Sequence, residues 1–323
     1  MLRACVAISE LIDAQVLGLC IRDASDPHSD PADGHLRAGV HRGGVRPEAG
    51  LDGFDILLSV DSDAPAPWIG GDLETALGQL KMAFDGQPLA ATVAAQLFRQ
   101  TLQLTFDDAL ALESLAYSML LASGEFKAWR ARTPVRKRDN DDEPRVRLER
   151  TAAALVVTLT RPDARNAVDA RLRDELVEAL EFAIADPEGA PVVLAGDGPA
   201  FCAGGDLAEF GTADDPAVAH AIRLARSPAR LLRRLGPRVS ARVHGPCIGA
   251  GVEIPAAVHR VIAQPDAFFR LPEVAMGLIP GAGGVASIPR RIGRHRACFM
   301  AISGVELDAS TALAWGLIDG VEP

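Results

Sequence analysis

Apolar and polar positions change their period along this chain. From Asp72 to Arg132 the apolar residues recur at helical steps. Leu73, Leu77, Leu80 and Phe84 form one stripe, a second segment opens with Pro88 near its first turn, and Ala109 to Leu121 repeats apolar residues every three or four positions. The pattern predicts three helices. After Arg145 strands and helices alternate instead. Ala153 to Thr160 and Pro191 to Ala195 read as strands, with Asp169 to Ala185 as an amphipathic helix between them. A helix from Pro216 with Asp215 as its N-cap follows, then a strand around Arg238 to His244. Strand, helix, strand in that order predicts an α/β domain. Ahead of both regions, Asp, Gly, Pro, Arg and His crowd the stretch Asp23 to Gly50, which reads as loop or partial disorder. There only Phe54 to Val60, between Gly53 and the turn-forming Asp61-Ser-Asp63, looks like a strand.

These shifts divide the chain into a loop-rich extension over 1–71, a helical segment over 72–133, a charged linker over 134–145 and a core over 146–323. The linker centres on Arg136-Lys-Arg-Asp-Asn-Asp-Asp-Glu-Pro144, which mixes charges of both signs and offers no apolar residue to bury. With 323 residues and 48% hydrophobic content the chain is long enough to bury a full core. Its net charge of -10 argues against nucleic acid or an anionic membrane as the main partner, while leaving room for a local basic pocket for phosphates. The five cysteines, Cys5, Cys20, Cys202, Cys247 and Cys298, show neither metal-type spacing nor an even count for a disulfide framework. The segment Met1 to Cys20 carries Glu10 and Asp13, and no uncharged run of membrane-spanning length occurs. The expectation is a cytoplasmic protein without signal peptide or membrane span.

Candidate chemistry concentrates in the second half. At Phe201-Cys-Ala-Gly-Gly-Asp206 a strand ends in a turn whose minimal side chains let backbone N–H groups approach a ligand, although glycine pairs also make plain turns. Gly245-Pro-Cys-Ile-Gly-Ala-Gly-Val-Glu253 forms a second turn, running into a helix that begins near Ala250. First-turn amides there have no internal partner and face developing negative charge favourably. Glu253 falls in that same turn, where a carboxylate serves equally as a helix cap or as a catalytic group. Glu273 follows Pro272 among Phe268, Phe269, Leu271, Val274, Ala275 and Met276, an apolar setting that raises a carboxyl pKa toward what a general acid needs; a helix-start glutamate is the alternative. Ile279-Pro-Gly-Ala-Gly-Gly284 adds a turn able to pass close to a substrate. Two turns aimed at one oxygen with two carboxylates nearby suit chemistry beside a thioester carbonyl. A Gly-x-Ser-x-Gly elbow, a phosphate-binding Gly-x-x-x-x-Gly-Lys loop and a helical His pair are all missing, and His244 and His259 stand alone at the edges of apolar segments.

In this order the motifs resemble the crotonase superfamily, the enoyl-CoA hydratases and isomerases, over about Val146 to Val321. Arg161-Pro-Asp-Ala-Arg-Asn-Ala167 is similar to the family's first motif, Phe201 to Leu207 to its first oxyanion loop and Gly245 to Glu253 to its second. Leu271 to Gly284 is similar to the segment with the second catalytic glutamate, and Gly304 to Ile318 to the closing helix and strand. The resemblance implies an α/β fold built as a spiral of ββα repeats. It implies that the N–H groups of Gly205 and Ala250 hold the thioester oxygen, that Glu253 and Glu273 handle the water and the C2 proton, and that Gly281 sits beside that water. Ala203, with Asp206 and Leu207, would line the coenzyme A side. An acyl-CoA thioester is the implied substrate; no metal or redox cofactor is implied, coenzyme A being part of the substrate. The assembly implied is a homo-trimer or homo-hexamer.

Departures accompany the resemblance. Ala250 stands where glycine is usual, His259 replaces an aspartate, and Pro199 and Ala208 occupy places where lysines often meet coenzyme A phosphates. The family's usual terminal helices do not follow Val321, whereas Asp72 to Arg132, and Phe106 to Phe126 above all, looks like those helices moved to the front. The expectation is a circularly permuted crotonase joined through Arg136 to Pro144, against the rival of an unrelated helical appendage; old ends that lie near each other at the surface tolerate such a joint. Arg130, Arg132, Arg136, Lys137 and Arg138 then become candidates for the coenzyme A phosphates. The activity expected is enoyl-CoA hydration, with isomerisation or C–C cleavage through the same enolate, or a non-catalytic acyl-CoA-binding protein, as alternatives.

Overall fold

The computed structural model describes residues 17–25, 35–134 and 142–322. Its first surprise is a sheet in the region expected to be mostly loop. Strands β1 (Leu19–Asp23), β2 (Leu36–His41), β3 (Ile56–Ser59) and β4 (Ile69–Gly70) pair in parallel in that order. β2 is buried along its whole length. Composition hides it because Arg37, Gly39 and His41 count as turn or surface residues, yet the Arg37 backbone and the His41 ring find buried partners. The Arg37 N–H donates to Asp55 Oδ2 at 2.8 Å, and His41 Nδ1 lies 3.0 Å from Ser59 Oγ.

Four helices follow rather than three: α1 (Leu73–Gly86), α2 (Pro88–Gln100), α3 (Phe106–Leu121) and α4 (Gly124–Arg132). Asp72 and Thr105 cap α1 and α3 by accepting the Thr75 and Asp108 N–H groups, each at 3.1 Å. The fourth helix separates because Ser123 accepts the Phe126 N–H at 3.1 Å and restarts the ladder. Of the expected linker, residues 135–141 lie outside the described residues, Arg136, Lys137 and Arg138 among them. Arg145 is already buried, its N–H donating to Glu175 Oε2 at 2.6 Å.

The remaining chain alternates as the pattern predicts. The elements are β5 (Val146–Arg150), β6 (Leu155–Leu159), α5 (Ala170–Ala185), β7 (Val192–Gly196), α6 (Pro216–Ala225), α7 (Pro228–Leu235), β8 (Val239–Val243), β9 (Pro246–Ile248), α8 (Ala250–Ala256), β10 (Arg260–Ala263), β11 (Phe268–Arg270), α9 (Gly284–Ser287), α10 (Pro289–Ile292), α11 (Arg294–Ser303), β12 (Leu307–Asp308), α12 (Ala309–Trp315) and β13 (Gly320–Val321). Asp215 caps α6 as expected, accepting the Ala217 N–H at 2.8 Å. A six-stranded sheet runs β13-β10-β8-β7-β6-β5, parallel except for β5, and a small one runs β12-β11-β9. The units β8–β9–α8 and β10–β11–α9 each place one strand in the large sheet and the next in the small one before a helix. This is the ββα spiral.

Front and back share one buried cluster, which runs from Leu36 through Phe98 and Leu120 to Val243, Phe299 and Ile318. α1 and α2 pack on α11, α3 packs on α6 and α9, and α4 packs on the turn at Val274–Met276. Side chains seal the join. Arg99 pairs with Asp55 at 2.6 Å, Arg294 Nη1 donates to the Phe54 carbonyl at 2.9 Å, and buried Arg296 Nε donates to the Trp68 carbonyl at 3.0 Å. Among the described residues no helix is long and apolar enough to cross a membrane.

Candidate active site

The first glycine turn is held from beneath by Asn166, a fully buried residue in the left-handed region (φ 53°) that asparagine tolerates better than most. Its side-chain amide reaches the Asp197, Ala200 and Phe201 carbonyls at 2.9–3.0 Å. The second turn is stitched to the first through the Ile248 N–H, which donates to the Cys202 carbonyl at 3.0 Å. Val168 bridges the first turn by donating to the Gly204 carbonyl at 2.8 Å and accepting from the Asp206 N–H at 2.9 Å. Extended backbone alternates its amides between two edges, so the Gly205 N–H points away from Val168. Gly205 and Ala250, the first residue of α8, both line one cavity of about 250 Å³. Neither N–H has a hydrogen-bond partner among the described residues. Two such donors can share one carbonyl oxygen.

Three buried glutamates face the same cavity. Glu253, in the first turn of α8, does not cap its own helix; Oε2 accepts the Ala282 and Gly284 N–H groups at 2.7 and 2.9 Å. Glu113, from α3, accepts the intervening Gly283 and the following Val285 N–H groups, each at 2.8 Å. Four consecutive amides thus alternate between two carboxylates. Glu273 lies just before the Val274–Met276 turn, and its Oε2 is buried with no hydrogen-bond partner among the described residues. Its Oε1 presses on the second turn: a Cβ on Gly249 would sit 2.3 Å away, so only glycine, here at φ 51°, admits the carboxylate.

Burial pushes the Glu253 carboxyl up to about 7, against the opposing pull of the Ala282, Gly284 and Gly281 amides. Burial and then the charge of Glu253 hold Glu273 well above the usual carboxylate range, and the same two causes raise Glu113. An ionised Glu253 therefore favours a protonated Glu273, which gives one base and one acid at neutral pH.

Of the residues expected at the site, Gly205, Ala250, Glu253, Glu273 and Gly281 come together around the cavity. Asp206 also lines it, but its carboxylate is engaged by Arg161 at 2.8 Å and by the Ala208 N–H at 3.0 Å. Ala203 and Leu207 do not line it. The Ala203 N–H donates to the Arg165 carbonyl at 2.9 Å, and the Leu207 carbonyl accepts Arg130 Nη1 at 2.8 Å. His244 Nε2 lies 2.8 Å from the Gly198 carbonyl. Three lining residues, Glu113, Tyr117 and Arg223, escape the sequence reading. The signal for the first two was available: a carboxylate on the stripe Leu110, Glu113, Tyr117 of a helix otherwise buried by apolar residues.

Comparison with known proteins agrees with this architecture. The family model described as Enoyl-CoA hydratase/isomerase matches residues 149–323. The mevalonyl-coenzyme A hydratase of Beauveria bassiana is 37% identical over 179 residues, 52% of this chain and 63% of that protein, so the match spans under two thirds of its length. The 2,3-dehydroadipyl-CoA hydratase of Escherichia coli is 36% identical over 54% of this chain and 68% of its own. Among solved structures, the enoyl-CoA hydratase of Thermoplasma volcanium superposes with a TM-score of 0.51 at 33% identity, covering 56% of this chain and 72% of that one. The enoyl-CoA hydratase of Bacillus anthracis gives 0.51 at 31% identity over 55% and 70%. The chain belongs to the enoyl-CoA hydratase/isomerase family, the crotonases.

Proposed function

We propose that this protein hydrates a 2-enoyl-CoA thioester. The observation that carries the reading is one cavity holding two unpartnered amides, Gly205 and Ala250, together with Glu253 and Glu273. The thioester oxygen accepts both N–H groups as charge moves onto it. Glu253 takes a proton from water as the new C3–O bond forms, and Glu273 delivers its proton to C2. The displaced π electrons rest on the thioester oxygen between those steps, so atoms and charge balance at net addition of water. The presence of both carboxylates favours hydration over isomerisation or C–C cleavage, which need the oxyanion site but not both groups. A cytoplasmic setting and a homo-trimer or homo-hexamer belong to the same proposal.

The circular permutation is also a proposal. Its support is that α3 and α4 pack against the segment bearing Glu253's partners and Glu273, where a cover over the acyl pocket has to lie. A re-ordered chain carrying residues 72–133 after residue 323 on a flexible joint should fold and keep its turnover; failure to fold would count for an unrelated appendage.

Loss of the conjugated thioester absorbance, followed over a series of enoyl chain lengths with Glu273→Gln as control, tests the activity. Rapid loss that disappears in the variant is the expected result. Tight thioester binding without any loss would sink the hydratase reading, and Glu253→Gln that abolishes hydration yet keeps double-bond migration would identify an isomerase.

A further inference from the structure

We propose that the acyl end of this site recognises a terminal carboxylate, so that the substrate class is an enoyl-CoA thioester with an anionic ω-end bound by Arg223. The inference deepens the hydratase reading and rests on it for the orientation of the acyl chain.

Arg223 extends from α6 toward α3. Nε donates to Ser114 Oγ at 3.0 Å, and Nη2 donates to the Ser114 carbonyl at 3.2 Å and to Ser118 Oγ. The guanidinium lies 5.0 Å over the Tyr117 ring. Ser114 Oγ is itself 2.9 Å from His220 Nδ1, so a hydroxyl network fixes the arginine in place. Three arginines line the cavity. Arg173 pairs with Asp174 at 2.9 Å and Arg226 lies 4.0 Å from the same carboxylate, but Arg223 has no carboxylate in ion-pair contact among the described residues, Glu113 acting on it only from farther off. Nη1 has no protein acceptor among them either, nor does the Tyr117 hydroxyl. A half-buried cation with no counter-ion in contact is costly, and a guanidinium is the side chain best shaped to take a carboxylate through two parallel bonds.

Position decides which anion. One face of the Tyr117 ring lies under Arg223, while its edge packs on Gly281, where an added Cβ would fall 2.4 Å from Tyr117 Cδ2. Gly281 directly precedes Ala282, the amide that holds Glu253. One aromatic ring therefore separates Arg223 from the Gly281–Ala282 segment that holds Glu253, and in the proposed orientation the acyl chain runs past Glu253 to that side. The first turn has different neighbours, because Gly205 abuts Phe210, whose ring lies tilted against Trp129 beside Arg130.

Calorimetric titration of the full chain with paired saturated acyl-CoA thioesters, equal in length and ending in either methyl or carboxylate, reads this recognition without turnover. At one length within a four- to eight-carbon series the carboxylate member should bind about tenfold tighter, the effect of one charge-assisted contact. Arg223→Met should reverse that order, and Arg223→Lys should keep part of it. A wild-type preference for methyl ends at every length overturns the proposal. So does an Arg223→Met variant that weakens both thioesters and free coenzyme A alike, which would mark a phosphate contact. Carboxylate selectivity without hydration would defeat the hydratase reading and leave this one standing; fast hydration of methyl-ended substrates alone would do the reverse.

Discussion

The two halves of the molecule bring carboxylates to the site by different routes. In the core, Glu253 and Glu273 are placed locally: one stands four residues after the Gly249 turn, the other beside Pro272 and a short turn that fixes its backbone. In the front helices, Glu113 reaches Gly283 across a separation of 170 residues, and only the packing of α3 on α9 brings it there. Yet the two routes meet on one loop, where the amides of 282 and 284 belong to the core's glutamate and those of 283 and 285 to the front's. On the proposed mechanism the core supplies the chemistry, and the position of the loop beneath it is shared.

The largest effect should follow from a change confined to the core. Glu273→Gln keeps the shape and removes the acid, so turnover should fall about 10²–10⁴-fold with thioester affinity little changed. A loss under tenfold would show that the core is not where the proton is delivered.

Next comes pH. The folded pKa of Glu253, about 7, exceeds its unfolded value near 4.5, so between these limits the folded chain holds a proton that the unfolded chain has lost. This contribution to stability is complete below the unfolded pKa and disappears as pH rises through the folded one, a change on the order of 3 kcal/mol between pH 4 and 8. Denaturant titration across that range should show the decline, and Glu253→Gln should flatten it. Turnover should rise through the same window, because the base acts ionised; opposite slopes for stability and rate are the signature to look for.

A smaller loss is expected from the front. Glu113→Ala leaves the Gly283 and Val285 amides without acceptors and should lower stability by about 2 kcal/mol, with a drop in kcat larger than any change in KM as the loop under Glu253 loosens. Unchanged kcat would mean that the core positions the loop by itself. At the bottom of the scale, Leu207→Ala should alter stability by no more than about 0.5 kcal/mol and leave turnover intact, because its exposed side chain does not line the cavity.

Legibility in the sequence follows the same division. Alternation from Arg145 onward, the Asp215 cap and the glycine turns are local signals, and all can be read in a single pass. Ala203 and Leu207 lie off the cavity, because a motif gives adjacency along the chain and not which way each residue faces: Gly205 and Asp206 line it while Gly204 and Leu207 on either side do not. β2 was missed for another reason: Arg37 and His41 become strand residues only once Asp55 and Ser59 arrive to satisfy them. Glu113 and Arg223 belong to this second kind, their partners lying on elements remote in sequence.

The shared loop also sets a clock for the chain's birth. A ribosome adding about 5–20 residues per second delivers Glu113 and then needs roughly 10–30 s to reach Gly283, 170 positions later. Within that interval α3 gains α6 before α9 exists, while α1 and α2 still lack α11. The candidate pocket can close only once residues 282–285 are made, and a chain released before residue 285 would carry the whole front sheet and helices and both core glutamates, but not the complete set of amides that ties Glu253 to Glu113.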